Sequence, residues 1–181
     1  MAFLRSHRRR LWCAIALVAA GAIIRADESL RIVPIVHDDT VLISFELADA
    51  YTDGVREAVS SGLRTSFTYD IALRMHVPVW VDRTIATAVV VMTDHFDNLT
   101  RRHSLSRTVD GRLLEATVTE DEAVVRRWLT AVNRLPLCGT DKLDPSRDYF
   151  VQVSARVRPY RASLLGWANA ITGQTRFTFV P

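Results

Sequence analysis

The chain has 181 residues, with 23 Lys+Arg against 20 Asp+Glu and a formal net charge of +3. Five arginines (Arg5, Arg8, Arg9, Arg10 and Arg25) precede Asp27 and no acidic residue does, so residues 27–181 carry 18 basic and 20 acidic groups. That balance speaks against a nucleic-acid binder, whose affinity comes largely from neutralising phosphates.

The N-terminal stretch reads as an address. Arg5, Arg8, Arg9 and Arg10 form a basic head, and Leu11 to Ile24 follow as fourteen uncharged residues. Ala20-Gly21-Ala22 and Ile24-Arg25-Ala26 both offer small residues at a cleavable exit. A positive head, a short apolar core and a small-residue exit define a secretory signal peptide. A helix of that length reaches about 21 Å against a hydrocarbon core of roughly 30 Å, so cleavage is expected and a retained anchor is the alternative. Residues 1–26 are thus read as signal peptide and residues 27–181 as one exported domain, long enough to bury its own core. Lys142 is the sole lysine. With the leader, that arginine-rich usage points to a GC-rich bacterium and hence to the periplasm or cell envelope. Arg8-Arg9-Arg10 loosely matches a twin-arginine signal, but ordinary unfolded export is the expected route. Cys13 leaves with the leader and Cys138 then stands alone, so no internal disulfide is expected.

The mature region reads mainly as strands. Leu30, Val33 and Ile35 open an apolar run that ends at His37-Asp38-Asp39, and Val41 to Leu47 return as a hairpin partner. Thr52 or Asp53 can cap a short helix through Ser60, closed by Gly62. From Leu63 to Val77, Leu63, Phe67, Tyr69, Ile71, Leu73, Met75 and Val77 occupy odd positions and Arg64, Ser66, Thr68, Asp70, Arg74 and His76 even ones, a strand with one wet face ended by Pro78. Val81 to Met92 is β-branched and apolar on both faces around Val89-Val90-Val91, which predicts a central strand covered on both sides. Arg101 to Val109 and Arg112 to Val118 flank Asp110-Gly111, a strong hairpin signal.

Thr119-x-x-Glu122 forms a capping box, with Asp121 also in the first turn. A stripe of Val125, Trp128, Leu129, Val132 and Leu135 predicts a helix as far as Pro136, followed by a loop to Pro145. Cys138 is expected to pack at that helix exit. Tyr149 to Arg158 alternates as a strand, and Thr175 to Val180 reads as the last one. Between them Leu164, Trp167, Ala168 and Ile171 fall at helical spacing, with Ser163 placed to cap and Gly173 to terminate.

Ala58 to Tyr69, the long strand that follows, Trp80-Val81-Asp82-Arg83, His95 to Thr100 and the strand from Asp148 to Val157 together resemble an uncharacterised bacterial family, domain-of-unknown-function family 4390. The likeness runs from Ile32 to about Val157, and the segment from Ala162 departs from the tryptophan-rich ending of that family. The resemblance implies an exported domain with this helix–Gly–long strand order. It implies no activity and no catalytic residues.

Candidate chemistry is sparse. No Gly-x-Ser-x-Gly elbow and no Gly-rich loop entering a helix occurs, so neither hydrolase nor nucleotide-binding chemistry is expected. Asp94, His95, Asp97 and His103 gather metal-ligand types, as do His37, Asp38 and Asp39, but their spacing matches no ligand pairing. Asp94 and Asp97 read more simply as strand-end residues bonding their own backbone. Arg156, Arg158, Tyr160 and Arg161 form a basic row suited to anionic headgroups or an acidic partner, or else a solvated face protecting an edge strand. Trp80 and Asp82 read as a corner, the indole covering the end of the core and Asp82 tying the loop.

These readings converge on an α+β fold, a mostly antiparallel β-sandwich or partial barrel with two packed helices. The expected role is a non-enzymatic exported envelope protein that binds a partner protein or a membrane surface, with no catalytic, cofactor or metal residues. The alternative is a carrier enclosing a small apolar ligand such as a lipid within a rolled sheet. The mature N-terminus is expected near Asp27, or after Ala22. N-terminal sequencing after cell fractionation checks this, and a full-length chain in the cytoplasm would contradict it.

Overall fold

A strict alternation of apolar and polar side chains lays down most of this architecture, because a period of two gives each strand one buried and one wet face. The computed structural model describes residues 30–159 and 170–179. The leader and most of the expected Ser163–Gly173 helix lie outside the described residues.

The first hairpin pairs β1 (Leu30–His37) with β2 (Thr40–Leu47) through a turn in which Asp38 and Asp39 have φ of 46° and 56°. Both values lie in the left-handed region, where a short polar side chain is tolerated best and where two-residue hairpin turns match strand twist. Helix α1 (Asp53–Ser60) follows, its Thr52 hydroxyl accepting from the Val55 N–H. Gly62 ends it with φ 79°, and a Cβ there would sit 2.6 Å from Asn98 Nδ2. Both the dihedral and the close approach require glycine.

Strand β3 (Thr65–Met75) buries Thr65, Phe67, Tyr69, Ile71 and Leu73 and half-exposes the residues between them. It pairs with β4 (Arg83–Asp97), which pairs with β5 (Arg102–Val109) and, beyond a turn with Asp110 at φ 49° and Gly111 at φ 78°, β6 (Arg112–Thr119). On its other side β3 pairs with β8 (Asp148–Pro159), and β8 with β9 (Ile171–Thr178). The result is a six-stranded antiparallel sheet in the order β6-β5-β4-β3-β8-β9. Strands β1, β2 and β7 (Ala131–Gly139) form a second, three-stranded sheet in the order β1-β2-β7. Neither sheet closes into a barrel. They pack face to face as a sandwich, with Phe45 of β2 against Tyr69 of β3 at a ring separation of 4.8 Å. Helix α2 (Glu122–Thr130) covers the inner face beside the small sheet.

Several expectations need correction. Helix α2 stops at Thr130, and Val132 and Leu135 belong to β7, where residues 135–139 had been expected to loop. The cause is a pair of register shifts in the β2–β7 ladder: Phe45, Ile43 and Val41 face Val132, Leu135 and Cys138. Each bulge adds a residue to β7, so its buried positions recur every third residue and imitate a helical stripe. Pro136 therefore sits beside a bulge on an edge strand, a place where a missing N–H is tolerated. Cys138 is a buried strand residue with a free thiol, not a helix exit. Asp121, rather than Thr119, caps α2 through a 2.8 Å bond from the Ala123 N–H.

The central strand β4 is covered on one face only. Val90 and Met92 are fully buried, whereas Val89 is 39% exposed. Ile171 and Gly173 lie in β9 opposite Ala155 and Val153, so the expected helix does not extend that far. Gly173 terminates nothing. It lets Leu30 of β1 approach to 3.0 Å of where a Cβ would stand, which seats the edge of the small sheet on β9.

Tyr69 is the junction of these layers. Its ring is fully buried, and its hydroxyl donates to the Leu129 carbonyl at 2.6 Å. That carbonyl lies in the last turn of α2, where no intrahelical donor remains. Tyr69→Phe should cost about 1–3 kcal/mol by leaving it unpaired. Phe67→Ala should cost about 3–5 kcal/mol. Thr68→Ala, on the wet face, should stay within about 0.5 kcal/mol. Urea denaturation of the three variants checks the set, and equal losses at positions 67 and 68 would mean that the outer face is covered too.

Candidate functional site

Alternation decides where each candidate residue of the sequence ends up. Asp94 and His103 lie diagonally on the inner face, since Asp94 is opposite Leu105 and His103 is opposite Phe96. Both are buried, and His103 Nδ1 lies 3.0 Å from Asp94 Oδ2 and 3.3 Å from Oδ1. Phe96 stacks on the imidazole at 4.6 Å. Burial pushes the Asp94 carboxyl above its usual range, and the bond from His103 offsets only part of that. Tyr51 is pushed up to about 12, chiefly by burial, then by the charges of Glu122 and Asp94.

Asp94 therefore lies inside β4 with His103 as its side-chain partner, not at a strand end as its position in the sequence implied. Asp97 is the strand-end residue: its Oδ1 accepts from the Leu99 N–H at 2.8 Å and the Thr100 N–H at 3.3 Å, which holds its carboxyl below the usual range. His95 points to the opposite face from Asp94 and is exposed. The four side chains thus go to three different environments, and no group of three potential metal ligands gathers among the described residues. His37 lies 3.2 Å from Asp38 at the exposed first turn.

An aspartate orienting an imidazole supplies two of the three members of a hydrolytic triad. Among the described residues the side-chain bonds of His103 go to Asp94 alone. The pair acts as a polar clamp between β4 and β5 beneath the helices. A neighbouring cation does related work: Arg107 lies over the Trp128 ring at 4.5 Å and reaches Glu115 at 3.3 Å, joining β5 to α2 and β6.

Of the basic row in the sequence, Arg156 alone has a described side chain. Arg156 is bonded to Asp70 across the β3–β8 ladder, at a point of β8 beyond its last pairing with β9 at Ala155; the Arg158 side chain and residues Tyr160 and Arg161 lie outside the described residues. The edge strands of the large sheet are β6 and β9. Strand β6 is exposed along nearly its whole length, with Leu113, Leu114 and Val118 each at least 60% exposed. A bulge between Arg107 and Thr108, together with Arg112 and Glu115, makes it a poor template for a further strand.

The surface that stands out is the loop between β3 and β4. Asp82 does tie this loop, as expected: its Oδ1 lies 3.1 Å from His76 Nδ1 and accepts from the Val77 N–H at 3.4 Å. Trp80 does not cover the core. It is 82% exposed, flanked by Val79 at 102% and Val81 at 79%. Val79 holds φ 65°, a left-handed conformation that is strained for a β-branched residue. Beside the loop, on the outer face, Arg74, Phe150 and Arg176 line up across β3, β8 and β9. They border a groove of about 310 Å³ whose rim includes His76, Gln152 and Gln174. The apolar triplet was visible in the sequence. The arginine row was not, because it joins residues whose adjacency depends on register.

A family model described as a domain of unknown function (DUF4390) matches residues 28–165. No curated protein and no solved structure matches the chain.

Asp94 and Asp97, whose proton affinities are shifted in opposite directions, should give opposite pH signatures. Asp94 holds its proton more tightly folded than unfolded, so its contribution is complete at acid pH and declines as pH rises through its folded pKa. Asp97 has the reverse shift, so its contribution is present at neutral pH and is lost as pH falls below the usual carboxylate range. The melting-temperature advantage of wild type over Asp94→Asn should therefore shrink with rising pH, while that over Asp97→Asn should grow. Thermal melts across the acid range check both signs.

Proposed function

This chain belongs to the DUF4390 family, and on that premise we propose that it is a non-enzymatic binding domain of the bacterial envelope. Its leader exports it, and the folded sandwich docks on an envelope surface through the Val79-Trp80-Val81 loop. That loop is the observation that carries the reading. Three consecutive large apolar side chains stand in solvent on a braced, strained turn, an arrangement that costs solvation free energy unless something covers it.

The interior supports a docking role over a carrier role. A carrier needs an enclosed apolar space, whereas among the described residues the gap between the sheets is occupied by Phe45, Phe67, Tyr69 and Tyr149, all nearly or fully buried. No helix among the described residues is long and apolar enough to cross a membrane.

Cell fractionation tests the proposal. The wild-type protein should be exported and recovered with the envelope fraction. Trp80→Ser should melt within about 0.5 kcal/mol of wild type, as an exposed substitution does. It should nevertheless lose about 2 kcal/mol or more of envelope affinity, the cost of truncating a tryptophan anchor. Equal retention of wild type and variant would remove the loop from the function.

A further inference from the structure

Resting on that docking role, we infer that the surface met by the loop is an anionic phospholipid bilayer, with Trp80 seated at the interface and a lipid phosphate held in the adjoining Arg74–Arg176 groove.

The geometry has two levels. Val79, Trp80 and Val81 form the tip, the most exposed large apolar group on the described surface apart from Leu99 at 95%. Tryptophan beside aliphatic residues favours the boundary between acyl chains and headgroups, where the ring is apolar and its N–H stays hydrated. Behind the tip stand cations. Arg74 and Arg176 belong to strands separated by one neighbour, which places their backbones roughly 9–10 Å apart. Both flank Phe150, and neither has an ion-pair partner among the described residues. Arg83, at the start of β4, is also exposed just past the loop. Two carboxylates face the same region. Asp82 is engaged by His76 and by the Val77 N–H, and Asp148 sits on the rim of the groove while its carbonyl accepts from the His76 N–H at 2.9 Å. Arg83 shares the inner face with its partner Met75, so the groove cations are Arg74 and Arg176; with Asp82 already engaged by His76, Asp148 faces two guanidinium groups.

Charge and size together select lipid over protein. Guanidinium forks match phosphate oxygens, and an apolar tip with cations one layer behind it mirrors acyl chains with phosphates one layer above them. A stable protein interface buries on the order of 800 Å² on each partner around a packed apolar centre. A three-residue tip is narrow for that. A bilayer demands no such shape complement. The bracing fits as well: a loop already held by Asp82 loses little further entropy when it inserts.

The test uses the protein as recovered from its host and vesicles of phosphatidylglycerol and phosphatidylethanolamine in equal parts, with phosphatidylcholine vesicles as the neutral control. The wild type should cosediment with the anionic vesicles, bind the neutral ones more weakly, and release with salt. Trp80→Ser should weaken anionic binding by about tenfold or more, the loss of one buried aromatic anchor. Arg176→Gln, on an exposed edge-strand residue, should weaken it by about fivefold, as for one cation near an anionic leaflet. Melting curves confirm that both variants fold. Failure of the wild type to bind anionic vesicles, or binding indifferent to both substitutions, would overturn the lipid assignment. If vesicles fail while envelope retention still depends on Trp80, the occupant is a protein and the docking role survives. If retention is also indifferent to Trp80, both readings fall.

Discussion

The hydrogen bond from the Tyr69 hydroxyl to the Leu129 carbonyl is the contact on which the layers of this molecule depend. Tyr69 lies mid-strand in β3, itself between β4 and β8 in the large sheet, and its ring meets Phe45 of the small sheet and Phe67 of its own strand. One buried side chain therefore touches both sheets and the end of α2. Burial shifts its pKa upward, so the hydroxyl stays a donor across the ordinary pH range. By satisfying an orphan carbonyl it also lets the chain leave the helix at Thr130 and run directly into β7. Without that exit the small sheet would lack its third strand.

Around this junction the molecule is unevenly finished. The space between the sheets is filled by aromatic and branched aliphatic residues; Asp94 and His103 bond each other, while the buried Tyr51 hydroxyl has no partner among the described residues. A buried pair of this kind gives little net stability, since desolvation offsets much of the attraction, but it penalises any slip of β4 against β5 that would separate the partners. The ends and edges are different. Strand β6 carries exposed leucines on a bulged edge, and the β3–β4 loop carries its exposed tip on a turn braced by Asp82. The Asp82 bonds, added to exposure, distinguish this loop from β6.

Much of the strand order was legible in the residues. The β3 alternation, the Asp38-Asp39 and Asp110-Gly111 turns, the Thr52 cap and the Gly62 exit each announce themselves within a few positions, because each obeys a local steric or hydrogen-bonding rule. The failures have equally local causes. Two bulges gave β7 the spacing of a helix from Val132 to Cys138, and a close approach by Leu30, not a helix end, accounts for Gly173. Trp80 follows a proline and precedes a tying aspartate, so it read as a corner residue, yet no core lies within its reach.

By itself the sequence determined the antiparallel character of the fold and most strand faces, since these follow from periods read along the chain, and its ordered motifs carried the family resemblance. Only the tertiary structure decided which faces meet. It carried Asp94 to His103 and away from His95, joined Arg156 to Asp70, and set Arg74, Phe150 and Arg176 in one row beside an exposed tryptophan. The reason is register. A strand's own pattern specifies which side chains share a face, but the neighbour opposite each of them is fixed by turns, bulges and pairing partners far away in the chain, and a site made across three strands exists only once those are in place.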